Sequence, residues 1–285
     1  MPEILEVESA RALIDARALH RPIVKVHAPD TWFLKRGLTP RAVRTALTGN
    51  ELVAARRRGK LMLIDFASPA SVAERRAASV AERRAASVAE RPTGVLGLHL
   101  GMSGRVVIDG EAAGDPLLYA SNRPDSAWHR FGLSFADGGS LYLRDPRRLG
   151  AVELDPDEDR LGPDAFDLTL AELRATSAKS RAPVKAMLMD QSRVAGLGNL
   201  LCDEALWRAG IDPTRTADTL DVEETRRLHR AIRDTLRILG RRGGSHTGDL
   251  TSQREPGAHC PKDGAPLERR TVGGRTTYSC PVHQH

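Results

Sequence analysis

The chain has 285 residues, enough for one large domain or two modest ones, each with a core of its own. Lysine and arginine number 43 against 37 aspartates and glutamates, and the net charge of +6 favours an anionic partner. With only three cysteines, no disulfide framework is expected. The start carries no basic, apolar leader, and no apolar run reaches the roughly 18 residues that span a membrane. The chain is therefore expected to be cytoplasmic.

The chain opens with Met1-Pro2-Glu3, followed by a helical pattern to about Leu19. Proline is common at the first position of a helix, which is the structural interpretation of Pro2. Removal of Met1 would instead expose a proline α-amine with a pKa near 8, against about 10.4 for lysine. A neutral amine of this kind attacks aldehyde carbons, and Glu3 beside it would serve as a general acid or base.

Short strands are predicted over residues 24–28, 52–55 and 61–66, with a helix over 40–47. The basic run at 56–60 ends in Gly59-Lys60 at a hairpin tip, and we interpret Arg56 and Arg57 as a solvated face. Residues 71–91 repeat an eight-residue unit, which drifts about 80° per copy on a helix and builds no buried stripe. We expect a solvated or disordered insertion, with a basic arm that contacts a partner as the alternative.

Val95 to Gly104 predicts a buried strand that ends in a turn, with Met102 between two glycines. Methionine is ordinarily a core gap-filler, but this position indicates exposure. Strands over 105–108, 130–135 and 140–143 suit an antiparallel sandwich. The segment Asp145-Pro146-Arg147-Arg148-Leu149-Gly150 then forms a turn whose arginines could serve solubility alone.

The acidic segment 155–162 is typical of an interdomain linker, and helices are predicted over 170–177, 182–189, 200–209 and 222–239. The third helix ends at Gly210, a left-handed cap. It follows a turn with Gly196 and Gly198, which allow a close approach to another surface. Unpaired N–H groups at the helix start, with Asn199 beside them, predict a phosphate site. The alternative is an ordinary helical hairpin.

The tail places Cys260-Pro261-Lys262-Asp263 sixteen residues before Cys280-Pro281-Val282-His283, the spacing of a two-knuckle zinc ribbon. Asp263 and His283 stand where cysteine is usual, so His259 or His285 could substitute as a ligand. A disulfide between the two cysteines is the alternative. We expect one structural zinc ion per chain, a hairpin over 272–278 with Arg275 at its tip, and Cys202 as a core residue.

These motifs, in this order, resemble the bacterial formamidopyrimidine-DNA glycosylase and endonuclease VIII family over nearly the whole chain. The resemblance implies an α+β fold. An antiparallel β-sandwich with flanking helices would occupy residues 1–154, including the repeat insertion at about 71–91. A helix-two-turn-helix domain would occupy 163–246 and a zinc-ribbon hairpin 256–285.

The resemblance also implies a bifunctional DNA glycosylase and abasic-site lyase that acts as a monomer on duplex DNA with oxidised bases or abasic sites. Pro2 would be the nucleophile at C1′, Glu3 would protonate the sugar ring oxygen, and β,δ-elimination would cut the strand on both sides. The implied phosphate contacts are Lys60, Asn199 and Arg275. The implied contacts to the vacated base stack are Met102, Arg147 and Leu149.

The chain departs from the family pattern in several places. Leu5 replaces a usual proline, Leu149 replaces a wedge phenylalanine, and residues 247–258 are shorter than the usual lesion-recognition loop. The preferred lesion therefore stays open between oxidised purines and pyrimidines, as does the preferred opposite base. A non-catalytic damaged-DNA-binding protein is the competing hypothesis. A zinc-ribbon transcription factor would not explain the Met-Pro-Glu start together with the glycine-rich turn.

Overall fold

The computed structural model describes residues 2–71, 93–114 and 121–285. Its contacts divide the chain into two compact units: Met1–Pro2 with Val7–Asp157, and Glu3–Glu6 with Glu158–His285. The first helix, α1 (Ile4–Arg17), therefore contributes its first residues to the second unit and the rest to the first. None of the described helices combines the length and the apolar composition that crossing a membrane requires.

The first unit is built mainly of β-strands. Along the chain these are β1 (Ile23–His27), β2 (Glu51–Arg58), β3 (Leu61–Ala67), β4 (Gly94–His99), β5 (Arg105–Ile108), β6 (Glu111–Ala112), β7 (His129–Phe135), β8 (Ser140–Arg144) and β9 (Ala151–Leu154). They form two antiparallel sheets with the orders β2-β3-β4-β9 and β1-β7-β8-β5-β6. Their apolar side chains form one core cluster with those of α1, and Phe33, Phe131 and Phe135 are fully buried in it.

A second helix, α2 (Pro40–Leu47), also belongs to the first unit. The Thr39 hydroxyl accepts a hydrogen bond from the Ala42 N–H at 3.1 Å, and proline occupies the first helical position. Val43 and Leu47 are the buried residues of this helix. The predicted bounds of the helix were therefore correct, because its start carries two local signals.

Two connections between the sheets run side by side. Residues 100–104, the Met102 turn, join β4 to β5, and residues 145–150, the Arg147 turn, join β8 to β9. His99 pairs with Ala151 where β4 meets β9, and Arg105 pairs with Arg144 where β5 meets β8. The two turns therefore begin and end beside each other.

The second unit contains four helices, α3 (Leu170–Ala178), α4 (Val184–Met189), α5 (Asn199–Ala209) and α6 (Val222–Arg242), and the hairpin β10 (Glu268–Val272) and β11 (Arg275–Ser279). A capping box starts α6: Asp221 accepts the Glu224 N–H at 2.7 Å, and Glu224 accepts the Asp221 N–H at 2.9 Å. Gly210, with φ of 69°, ends α5 in the left-handed conformation as predicted. The helices bury their apolar faces in one cluster, which includes Ile4, Leu5 and Cys202.

The predicted fold class is confirmed: antiparallel sheets are followed by helices and a hairpin. Two local predictions were wrong. Strand β2 was predicted over residues 52–55, but it continues through the arginine run to Arg58. Arg57 was predicted to be solvated, but its side chain is only 9% exposed, and its Nε donates to Glu8 at 2.8 Å. Strand β9 was not predicted. The repeat lies outside the described residues except for Ser71, and the three-part domain division stays a prediction.

Candidate functional site

Glu3 is the most heavily hydrogen-bonded residue of the N-terminal segment, and it is fully buried. Its Oε2 accepts the N–H groups of Gly198 at 2.7 Å and Leu201 at 3.2 Å, and its Oε1 accepts that of Leu200 at 2.8 Å. These are the first N–H groups of α5, at the positive end of the helix dipole. Three donors and this dipole together favour the ionised carboxylate.

The close approach that the two turn glycines allow is to this N-terminal segment. A β-carbon at Gly198 would lie 2.3 Å from Glu3 Cδ, and one at Gly196 would lie 2.4 Å from Ile4 Cδ1. The Gly196 N–H donates to Gln191 Oε1 at 2.9 Å. Phosphate was expected at the N–H groups of this turn and helix start. The expectation is wrong for Gly196 and Gly198, whose N–H groups donate to Gln191 and Glu3.

A second carboxylate fixes the same segment. Glu6 Oε2 accepts the Glu3 N–H at 2.7 Å, and Glu6 Oε1 accepts the Ser245 N–H at 2.7 Å and the Ser245 hydroxyl at 2.8 Å. The Ile4 N–H donates to the Gly196 carbonyl at 3.2 Å. Pro2, which precedes these residues, is itself buried. The segment that directly follows Pro2 is thus fixed through Glu3, Ile4 and Glu6.

Gln191 organises the turn between α4 and α5. Its Nε2 donates to the carbonyls of Met189 at 2.8 Å and Leu197 at 3.0 Å, while its Oε1 accepts the Gly196 N–H. All polar atoms of this amide are therefore used inside the turn. No role was predicted for Gln191 from the sequence; its contacts fix the turn that presents Gly198 and α5 to Glu3.

Asn199 occupies the first position of α5 and is half-buried. Its Oδ1 is buried and has no hydrogen-bond partner among the described residues. A buried amide atom without a partner costs about 1–3 kcal/mol, so an external group that satisfies this amide would stabilise the site. A half-turn of the amide would present Nδ2 at the same place.

Lys60 follows Gly59 at the tip of the β2–β3 hairpin, where Gly59 has φ of 57°. The lysine is half-buried. In the parts of the chain that the structure describes, its ammonium has neither an ion-pair nor a hydrogen-bond partner. A lysine held on a rigid turn with its charge available is suited to a phosphate oxygen.

The Met102 turn and the Arg147 turn pack directly on each other. A β-carbon at Gly101, where φ is 59°, would lie 2.3 Å from the Leu149 carbonyl carbon. The structure therefore places the three residues expected to fill a vacated base stack, Met102, Arg147 and Leu149, on two adjacent turns. Arg147 is exposed and Leu149 is 46% exposed. Met102, which was expected to be exposed, is half-buried.

The hairpin that carries Arg275 is fixed to the helices by a buried ion-pair network. Lys185 Nζ lies 2.7 Å from Asp203 Oδ1 and donates to Thr277 Oγ1 at 2.6 Å. Burial lowers the pKa of Lys185, and the Asp203 charge opposes that shift. Arg254 pairs with the other Asp203 oxygen. Arg275 itself is exposed at the hairpin tip, as predicted.

The four predicted metal ligands form one cluster. The candidate ligand atoms of Cys260, Asp263, Cys280 and His283 all lie within 4.8 Å of one another, and no disulfide joins the two cysteines. His259 and His285, the two alternative ligands, are not members of this cluster. Burial raises the pKa of the Cys280 thiol to about 11, so a cation is needed to hold it as a thiolate at neutral pH.

The surroundings of the cluster suit a tetrahedral divalent cation. Cys260 Sγ accepts N–H groups from the Trp207 indole at 3.3 Å and from the Lys262 backbone at 3.4 Å. His283 Nε2 lies 3.1 Å from the Trp207 carbonyl, which can only accept, so Nε2 carries the proton and Nδ1 faces the cluster. Two thiolates, one carboxylate and one imidazole form a donor set that zinc accepts.

Asp145 is the main residue of this site that sequence reasoning missed. It was interpreted only as part of an Asp-Pro turn, yet its carboxylate is fully buried and accepts four hydrogen bonds. The available signal was its place at the first position of a turn, where aspartate often accepts the N–H two residues later.

Two domain families match the chain. The formamidopyrimidine-DNA glycosylase N-terminal domain matches residues 1–152, and the formamidopyrimidine-DNA glycosylase H2TH domain matches residues 161–249. The chain is 35% identical to the formamidopyrimidine-DNA glycosylase of Paracoccus denitrificans over 317 aligned positions, which cover 100% of both chains. It is 32% identical to that of Thermus thermophilus, over 100% of this chain and 98% of the relative.

The fold is also similar to solved structures of Lactococcus lactis Fpg. One, a complex with abasic-site DNA, has a TM-score of 0.77 and 25% identity over 100% of both chains. Another, a complex with FAPY-dG-containing DNA, has a TM-score of 0.76 and 25% identity over 99% of this chain and 100% of that chain. The similarity therefore extends through both units.

Proposed function

Because the chain belongs to the formamidopyrimidine-DNA glycosylase family and is a DNA glycosylase, we propose a specific activity for it. The protein would be a bifunctional glycosylase and abasic-site lyase that removes oxidised bases from duplex DNA. The observation that carries the proposal is the fixation of the N-terminal segment. Residues 3, 4 and 6 take part in seven hydrogen bonds, which fix the segment next to Pro2. The partners are the start of α5, the Gly196 carbonyl and Ser245, and one bond lies within the segment itself. A nucleophile needs such a fixed position to gain from proximity.

The proton balance of the reaction assigns Glu3 its part. In its neutral form the Pro2 amine would attack C1′, and the base would leave with the electrons of the C1′–nitrogen bond and take a proton from solvent. The amine nitrogen would then carry a proton and a positive charge. An ionised Glu3 takes up that proton. It returns the proton to the sugar ring oxygen as the C1′–oxygen bond breaks and the iminium forms. The three N–H donors on Glu3 hold its carboxylate in a fixed position for both proton transfers.

The remaining residues divide by what they contact on the DNA. Lys60, Asn199 and Arg275 would bind phosphates, which position the protein without reading sequence. Met102, Arg147 and Leu149 would occupy the stack that the extruded nucleotide leaves. The support is local: Lys60 and Arg275 have exposed or half-buried charges on rigid turns, and Asn199 has an amide atom without a partner.

We propose zinc as the metal of the tail cluster, with Cys260, Asp263, Cys280 and His283 as its ligands. With four protein ligands it would be a structural ion that stabilises the fold around the Arg275 hairpin and takes no part in the chemistry.

The direct test of the proposal is a cleavage assay on matched duplexes with an oxidised purine, an oxidised pyrimidine, an abasic site or no damage. We expect cuts on both sides of the lesion in at least one damaged duplex and none in the undamaged duplex. A non-catalytic damage-binding protein would bind the damaged duplexes and leave every strand intact, which would overturn the proposal.

Asn199→Ala is expected to weaken DNA binding by about 10–100-fold, the equivalent of one charge-assisted hydrogen bond of about 1.5–3 kcal/mol. The loss should be similar for damaged and undamaged duplexes, because phosphate contacts carry no information about the base. Titration of both duplexes by fluorescence anisotropy at one salt concentration would measure it.

Met102→Ala is the contrasting variant. It lies on the turn expected to enter the vacated stack, so it should impair lesion cleavage strongly and change undamaged-duplex affinity little. If Asn199→Ala lost affinity for the damaged duplex alone, Asn199 would read the lesion, and its assignment to the backbone would be wrong.

A further inference from the structure

We propose that Asp145 is a positioning residue which, through Ser103, locks the Met102 turn and the Arg147 turn into one rigid wedge. The inference deepens the proposed function, on which it rests: it names what determines the placement of the residues that fill the vacated stack. Neither Asp145 nor Ser103 reaches DNA in this role, because both are almost completely buried.

The Asp145 carboxylate uses both oxygens. Oδ1 accepts the Ser103 hydroxyl and the Arg147 N–H, the latter at 3.0 Å. Oδ2 accepts the N–H groups of Leu149 and Gly150, each at 2.8 Å. Three of these donors belong to the Arg147 turn, and the fourth, Ser103, belongs to the Met102 turn. One carboxylate therefore fixes the shape of the first turn and attaches the second turn to it.

The backbone of Asp145 is anchored as well. Its N–H donates to the Trp128 carbonyl at 2.8 Å, and its carbonyl accepts the Arg130 Nε–H at 2.8 Å. Asp145 directly follows β8, and Ser103 comes just before β5, the strand paired with β8 through Arg105 and Arg144. The bond between the two side chains thus continues the sheet pairing into the turns.

The half-buried Met102 and the exposed Leu149 depend on this arrangement. Met102 immediately precedes Ser103, and Leu149 donates its own N–H to the carboxylate. The two turns approach closely at Gly101, where a β-carbon would lie 2.5 Å or less from three atoms of the Leu149–Gly150 peptide. A wedge has to enter a gap one base pair high, where a displacement on the order of 1 Å can reduce a rate by about 100-fold.

The alternative is that Asp145 only stabilises the sandwich, since a buried carboxylate with four donors contributes to folding wherever it lies. A double-mutant cycle separates the two roles. Ser103→Ala removes the bond between the turns and leaves the Arg147 turn with its three N–H donors. If the bond positions Met102, its loss matters only while Met102 is present.

The experiment compares wild type, Ser103→Ala, Met102→Ala and the double variant in single-turnover cleavage of the lesion duplex. A fluorescent base opposite the lesion reports insertion of the wedge. Ser103→Ala is expected to lower cleavage and insertion by about 10-fold or more, with unchanged affinity for undamaged duplex. In the Met102→Ala background it should have almost no further effect. Asp145→Asn replaces one acceptor oxygen by a donor that faces N–H groups. It should therefore lower cleavage and insertion more than Ser103→Ala does.

Ser177→Ala is the matched control, because Ser177 is equally buried and its hydroxyl has no partner among the described residues. It should leave cleavage unchanged. Two results would show a purely structural role and overturn the proposal. In the first, Ser103→Ala lowers cleavage and insertion equally with and without Met102. In the second, Ser103→Ala lowers the melting temperature and leaves cleavage and insertion unchanged. A wild-type protein that does not cut damaged DNA would instead overturn the proposed function.

Discussion

Borohydride is expected to trap the wild-type protein covalently on abasic-site DNA, with Pro2 as the residue in the adduct. The reason is that an α-amine at a chain terminus has a lower pKa than a lysine amine. At pH 7 roughly a tenth of an α-amine with a pKa near 8 is neutral, against less than a thousandth of a lysine amine. Borohydride reduces the iminium to a stable amine, and peptide mapping by mass spectrometry would locate the bond.

A form that retains Met1 is the decisive variant, because its proline nitrogen is an amide and has no nucleophilic lone pair. Trapping should fall by about 1,000-fold or more, the scale seen when an enzyme loses its nucleophile. Pro2→Gly keeps a free terminus with a primary amine and should fall between the two. If the Met1-retained form trapped at the wild-type rate, another amine would be the nucleophile and the proposed mechanism would be wrong.

Cys280→Ser is expected to abolish metal binding, whereas the wild-type protein should contain about one zinc ion per chain. A serine hydroxyl is a far poorer ligand than a thiolate, and three remaining ligands hold a structural ion weakly. Affinity for damaged and undamaged DNA should fall together, because the Arg275 hairpin ends in the cluster. The buried Lys185–Asp203 pair keeps part of that hairpin attached, so binding should weaken without disappearing.

Metal analysis by mass spectrometry and duplex titration would test both parts. Cys202→Ser is the matched control, since Cys202 is buried in the helical core and lies outside the ligand cluster. It should keep the zinc even if the protein melts earlier. Wild-type protein that contains no zinc and binds lesion DNA normally would contradict the assignment.

Local signals in the sequence predicted what depends on local physics. Thr39 and Pro40 mark the start of α2, Gly210 ends α5, and the spacing of the two knuckles brings four candidate ligands together. In each case a few neighbouring residues determine the conformation, so the pattern suffices. The same holds for the hairpin tip at Arg275, where Gly273 and Gly274 supply positive φ.

What the sequence did not predict depends on partners far along the chain. The first N–H groups of any α-helix have no partner within the helix, so a phosphate site at the start of α5 was a reasonable expectation for a basic protein. The partner is Glu3, between 195 and 198 positions away, and no local pattern reveals it. Arg57 was likewise expected in solvent, but Glu8 lies 49 positions earlier and pairs with it.

The buried N-terminal segment also imposes an order of events during synthesis. The partners of Glu3 and Glu6 lie between 195 and 239 positions further along, so they leave the ribosome long after the N-terminus. At about 5–20 residues per second, translation needs roughly 10–50 s to reach them. During that interval Glu3 and Glu6 lack their partners at Gly198, Leu200, Leu201 and Ser245, and an aminopeptidase can remove Met1. Once the second unit folds, Glu3 is fully buried. The removal of Met1 that the proposed mechanism requires should therefore be completed before synthesis of the chain ends.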